Sequence, residues 1–146
     1  MKSTRVVTPV NPAGGVLIGL VGGQPARRSE IAARLVKEGA ARLVEYSFGP
    51  IDYYKAGRAR LLAENLAGLL GVAGGMVATH IISEDEADVI REAGGEVWHV
   101  EGSPSRYIAQ RREDRLVTDA YGGRRHFLDP LEALSALLLK KQPASA

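Results

Sequence analysis

The stretch VLIGLVGGQPARRSEIAARLVKEG, residues 16–39, decides the fold. Val16 to Val21 is a β-rich run closed by Gly22-Gly23, and Ile31, Leu35 and Val36 then recur at helical spacing until Gly39 stops them. A strand, a glycine turn and a helix therefore follow one another within 24 residues.

The same alternation continues outward. Leu43 to Phe48 reads as a second strand, and Leu62, Leu66 and Leu69 form a helical stripe between Tyr53 and Leu70, ended by Gly71. Met76 to Ile82 reads as a third strand, apolar except for Thr79 and His80. Ser83 and Glu86 form a capping-box pattern that opens a helix with Ala87, Ile90 and Ala93 inside and Gly94-Gly95 at its end. Val97 to Val100 is a fourth strand. Ser103-Pro104 can start an arginine-bearing helix, with Ser103 as cap and Pro104 at the first position. Leu116 to Ala120 reads as a fifth strand. The last helix has Asp129 as cap, Pro130 in its first position, a Leu131, Leu134, Leu138 stripe and Lys140-Lys141 at its end. Strands alternating with helices predict a three-layer α/β fold: a mostly parallel sheet of about five strands with helices on both faces. Such sheets place ligands at the carboxyl ends of their strands.

Composition bounds the rest. At 146 residues, 45% apolar and 25% charged, the chain fits one domain, with residues 1–13 and 140–146 expected as loose tails. It has no cysteine, so disulfides, thiolate zinc sites and thiol nucleophiles are excluded and a cytoplasmic setting is the expectation. The start carries no continuous apolar core, Pro9 and Pro12 interrupting it, and no run approaches the roughly 20 apolar residues of a membrane span. The three histidines, His80, His99 and His126, lack the close spacing of metal ligands, and structural roles are expected for them. No nucleophile elbow is present. Net charge is only +2, but residues 106–125 hold Arg106, Arg111, Arg112, Arg115, Arg124 and Arg125 against Glu113, Asp114 and Asp119. Arginine suits forked recognition of phosphate; the alternative is a solvated, acid-laced surface. Tyr107 and Trp98 beside these arginines could stack on bases, though a strand tryptophan is expected in the core.

Gly22 to Ser29 has the length of a Walker A loop, G-x-x-x-x-G-K-[ST], in which backbone amides wrap phosphates, a lysine neutralises them and a hydroxyl holds magnesium. Gly22 and Ser29 match. Arg27 replaces the second glycine and Arg28 the lysine, so a side chain sits where bare backbone is needed and a planar fork replaces a compact ammonium. Two arginines at a helix start also oppose its macrodipole, a cost that a bound anion would relieve. The alternative is that both point to water.

At this point the chain resembles the deoxynucleoside monophosphate kinase-like P-loop proteins of phages and bacteria. Residues 17–22 resemble that family's first strand and loop entry. Ser47-Phe48, with Pro50 and Lys55, is similar to the start of its monophosphate-binding region. Residues 80–88 resemble the stretch in which those kinases carry Asp-Val-Arg-Phe-x-Asn-Glu-Ala, and residues 94–100 match the glycine pair and strand that follow. The resemblance implies a P-loop NTPase-like fold and a phosphate or nucleotide site at Gly22, Gly23, Arg27, Arg28 and Ser29. It further implies a lid formed by Arg106, Arg111, Arg112 and Arg115, with His80 and Lys55 as further candidates. ATP and Mg²⁺ are implied only for an active kinase. His80 replaces the family's aspartate and Ile82 its arginine, and the region after Phe48 is short for a substrate-binding insertion. Glu86 survives, with a full explanation as a capping residue. The expected function is a degenerate relative that binds a nucleotide or other phosphate-bearing ligand with little or no catalysis. The alternatives are an active (deoxy)nucleoside monophosphate kinase and a non-enzymatic module binding nucleic acid or protein through the arginine-rich segment.

Overall fold

A computed structural model describes residues 15–39, 41–47, 49, 55–73 and 75–141, without the side chains of 55, 56, 67–73 and 141. The elements are β1 (Val16–Val21), α1 (Pro25–Glu38), β2 (Val44–Tyr46), α2 (Lys55–Ala73), β3 (Gly75–Ala78), α3 (Glu84–Glu92), β4 (Glu96–Val100), β5 (Arg115–Val117) and α4 (Pro130–Lys141). The strands form one sheet in the order β2-β3-β1-β4-β5, every pair parallel. This is a three-layer α/β fold of the P-loop-like kind.

The continuous apolar run of β1 is explained by burial on both faces. Val16, Ile18 and Leu20 pack with Ile31, Ala32 and Leu35 of α1 and Ala133, Leu134 and Leu137 of α4. Leu17 and Val21 turn the other way, toward Leu62 and Leu66 of α2 and Ala87 and Ile90 of α3. Gly19 lies on this second face, where an added Cβ would stand 3.1 Å from Ile81 and 3.3 Å from Ile90. Trp98 is fully buried, and its indole N–H donates to Glu96 Oε1 at 2.8 Å, the core role expected for it. Because β1 lies between β3 and β4, the chain crosses β1 on its way from one neighbour to the other. That reversal makes the carboxyl end of β1 the crevice of the sheet.

Both capped helices form as expected. Ser83 Oγ accepts from Glu86 N at 3.2 Å, and Asp129 Oδ1 accepts from Leu131 N at 2.7 Å. Lys140 and Lys141 end α4 instead of belonging to a loose tail, and the Lys140 ammonium bonds Glu96. Residues 1–13, Phe48, Pro50 and Tyr53, and the Leu69 side chain, lie outside the described residues.

Four local expectations fail. Helix α2 continues through Gly71 to Ala73, and β3 ends at Ala78, short of Ile82. The expected helix after Ser103-Pro104 is absent: residues 101–114 are a non-helical strap. Its amides are taken by side chains. Ser105 Oγ accepts from Tyr107 N at 3.2 Å and Ile108 N at 3.1 Å, Glu84 Oε2 from Ala109 N at 3.1 Å, and Asp114 Oδ2 from Arg111 N at 2.9 Å. Such local bonds compete directly with a helical ladder. Ile108 also drops into the core under α2 and α3. Finally, Gly22 to Ser29 is not an eight-residue loop, because α1 already begins at Pro25. Proline needs no amide partner in a first turn and has its φ preset for a helix.

Candidate active-site crevice at the end of β1

Only Gly22, Gly23 and Gln24 separate β1 from α1. Gly22 (φ 74°) and Gly23 (φ 64°) are consecutive left-handed residues, which is why both are glycine. The second is pressed against the strap: an added Cβ would lie 2.9 Å from Glu101 O. Its N–H donates to Ser103 O at 2.8 Å. The turn is therefore tied to the strap by an amide that a phosphate cradle would leave free. It is not a Walker A wrap.

The two arginines part company. Arg27 reaches across to the ends of β4 and β5, donating to Glu101 O at 3.1 Å and pairing with Glu101 (3.5 Å) and Asp119 (3.9 Å). Arg28 is 5% exposed. Its Nη1 donates to Gly22 O at 2.7 Å and Gly23 O at 3.2 Å, and its Nε donates to His80 Nδ1 at 3.1 Å. All three acceptors are neutral, and Arg28 forms no ion pair with a described carboxylate. Burial and the nearby Arg58 charge both lower its pKa. Neither arginine simply points to water.

His80, at the end of β3, is buried and pushed down to about 4 by burial and by the charges of Arg28 and Arg58. At neutral pH it is an uncharged acceptor for Arg28. Behind it, Arg58 and Glu86 form a fully buried pair, Nε 3.2 Å from both carboxylate oxygens. Arg58 Nη2 also donates to His80 O at 2.7 Å. Glu86 Oε1 accepts from Ser83 Oγ at 3.0 Å and Ile82 N at 3.1 Å. The capping residue read in the sequence is thus also the counter-ion of Arg58.

In front of Arg28 opens a cavity of about 260 Å³ lined by Gly22, Gly23, Ile81, Ile82, the Ser103-Pro104-Ser105 run, Arg106 and Tyr107. Among the lid candidates, only Arg106 reaches it. Arg111 is exposed and 3.5 Å from Asp88, and Arg112 is exposed. Arg115 belongs to β5, its Nε 2.7 Å and Nη2 3.1 Å from the Glu96 carboxylate. Ser29 is exposed, more than a turn into α1, and does not line the cavity. Lys55 is the first residue of α2. His99 bonds Asp114 Oδ2 at 2.9 Å, and His126 is exposed and stacked on Phe127 with ring centroids 4.6 Å apart.

The serines of the strap escaped sequence reasoning, although a Ser-Pro-Ser cluster just past the fourth strand marks the end of the sheet where ligands bind. The described residues do not fit a magnesium–triphosphate complex: among them no carboxylate lines the cavity, the candidate hydroxyl at Ser29 is elsewhere, and the turn spends an amide on Ser103. What the crevice offers is guanidinium and hydroxyl groups, which suit a small oxyanion. Compared with family models, curated proteins and solved structures, the chain gives no significant match.

Proposed function

We propose that this chain binds a phosphate-bearing small molecule, a nucleotide or a close relative, in the crevice at the end of β1, and does so without efficient phosphoryl transfer. The observation that carries this reading is Arg28, a buried guanidinium at a cavity wall whose bonds go only to neutral acceptors. Buried charges are normally paired, because leaving one uncompensated costs several kcal/mol. A phosphate in the cavity supplies the missing counter-charge, and Arg106 and the hydroxyls of Ser103 and Ser105 stand on the same wall. The neutral His80 keeps the crevice from accumulating a further positive charge. Phosphoryl transfer needs charge neutralisation and positioning around the moving group. Among the described residues no carboxylate lines the cavity and Ser29 is exposed, which argues against a metal-assisted version of it.

A thermal-shift panel of nucleoside mono-, di- and triphosphates and inorganic polyphosphate, run with and without magnesium, tests the proposal. Stabilisation by phosphate-bearing ligands without need of magnesium is expected, and its loss in Arg28→Met. Indifference to every member of the panel overturns it.

A second reading, single-stranded nucleic acid bound along the rim, draws on the exposed Arg106, Tyr107, Arg112 and Arg125. It predicts oligonucleotide binding that weakens steeply with added salt; salt-indifferent or absent binding removes it.

A further inference from the structure

A second cavity, about 310 Å³, lies on the β4–β5 side and shares Gly22, Pro104 and Ser105 with the first. Its size is at the lower end of ligand pockets, about 300–1,000 Å³. Val100, Ile108, Leu116 and Phe127 give it apolar walls, and His99 and Gln110 supply polar groups. Resting on the phosphate-binding reading above, we infer that this second cavity holds the heterocyclic base of the ligand, and that His99 recognises it by accepting a hydrogen bond from a ring or exocyclic N–H.

His99 is held in one orientation. It is 8% exposed, in β4, with Nε2 2.9 Å from Asp114 Oδ2. Asp114 is itself buried and fixed by Arg91 Nη2 at 2.9 Å and Arg111 N at 2.9 Å, so its carboxylate cannot swing away. A carboxylate on Nε2 requires the proton there, which leaves the neutral ring with an acceptor at Nδ1. Nδ1 has no hydrogen-bond partner among the described residues, and His99 lines the cavity. An oriented acceptor in an apolar cavity discriminates strongly, because a ligand lacking the matching donor leaves it unpaired. An alkyl chain would fill these walls but leave Nδ1 unpaired, and a sugar would pair with Nδ1 but leave the apolar walls unmatched. A flat heterocycle with an N–H satisfies both, and His126 stacked on Phe127 at the cavity edge extends the aromatic surface it meets. The two cavities share lining at Gly22, Pro104 and Ser105, so the phosphate beside Arg28 and the ring beside His99 adjoin the same residues and are assigned to one molecule.

The test compares ribose 5-phosphate with the common nucleoside 5′-monophosphates by calorimetry, alongside free nucleosides titrated into protein carrying ¹⁵N-labelled histidine. At least one nucleotide is expected to bind about tenfold or more tighter than ribose 5-phosphate. His99→Leu should remove that advantage while leaving ribose 5-phosphate binding in place, and His99→Asn, whose amide oxygen can stand near the Nδ1 position, should restore part of it. In wild-type protein the matching nucleoside should shift the His99 Nδ1 resonance, a readout that does not depend on a variant folding. Equal binding of ribose 5-phosphate and every nucleotide, with no His99 shift, overturns the ring site and leaves the phosphate site standing. Nucleoside binding with a His99 shift but no ribose 5-phosphate binding does the reverse. A nucleotide advantage that survives in folded His99→Leu protein overturns the role given to His99.

Discussion

Replacing Glu86 by Gln should destabilise the fold far more than an ordinary loss of a helix cap. Arg58 and Glu86 are each 1% exposed in their side chains, and the carboxylate meets Arg58 Nε, Ser83 Oγ and Ile82 N at 3.0–3.2 Å. Losing a cap alone costs about 1 kcal/mol. Removing one charge of a buried pair costs about 3–5 kcal/mol, because the desolvation of the remaining charge loses the attraction that offset it. Glutamine keeps one acceptor oxygen, so the lower figure, about 3 kcal/mol, applies. In a chain of this size that lowers Tm by about 10 °C. Scanning calorimetry of Glu86→Gln, Arg58→Met and the double variant measures it. The double variant should recover part of the loss, since two neutral side chains need no mutual compensation; recovery stays partial because the carbonyls of His80 and Gly49 lose the Arg58 donor. A Glu86→Gln protein melting within about 2 °C of wild type would refute the assignment of Glu86 as counter-ion.

Other perturbations reach separate parts of the account. His80 is held neutral with its pKa lowered to about 4 from 6.5, so the folded state binds its proton less readily than the unfolded chain. Stability should be intact above pH 6.5 and fall as pH drops toward about 4, by roughly 3 kcal/mol at most, with a flatter urea-midpoint profile in His80→Asn. Gly23→Ala forces a side chain into a left-handed conformation 2.9 Å from Glu101 O and should cost about 1–3 kcal/mol in chemical denaturation. Asp129→Ala removes the bonds to Leu131 N (2.7 Å) and Gly122 N (2.8 Å) and should cost about 1–2 kcal/mol, with Asp129→Asn recovering only part of it because its single acceptor oxygen serves one of the two N–H donors.

The layered architecture was legible because burial leaves a periodic trace. The unbroken apolar run of β1 marks a strand covered on both faces, and the Ser83 and Asp129 caps mark helix starts whose bonds are local in sequence. The strap was not legible, since Ser103-Pro104 opens a helix only if the following amides keep their carbonyl partners. Here Ser105, Glu84 and Asp114 take them, and two of those depend on tertiary neighbours or later chain. The site was legible in place but not in chemistry. Adjacent arginines look alike in sequence, yet one helix step sends Arg27 to Glu101 and Asp119 and turns Arg28 inward to His80, 52 residues away along the chain. The pairing of Arg58 with Glu86 is likewise a product of α2 packing on α3. No spacing rule reveals it.

The most direct test of the central claim is a calorimetric titration of inorganic tripolyphosphate into wild-type protein and into Arg28→Met, at low and moderate salt. The account predicts saturable binding to wild type, weakened by salt and reduced at least about tenfold by loss of the guanidinium, with Arg28→Lys intermediate. Equal binding by wild type and a folded Arg28→Met protein, or no binding by either, would contradict it.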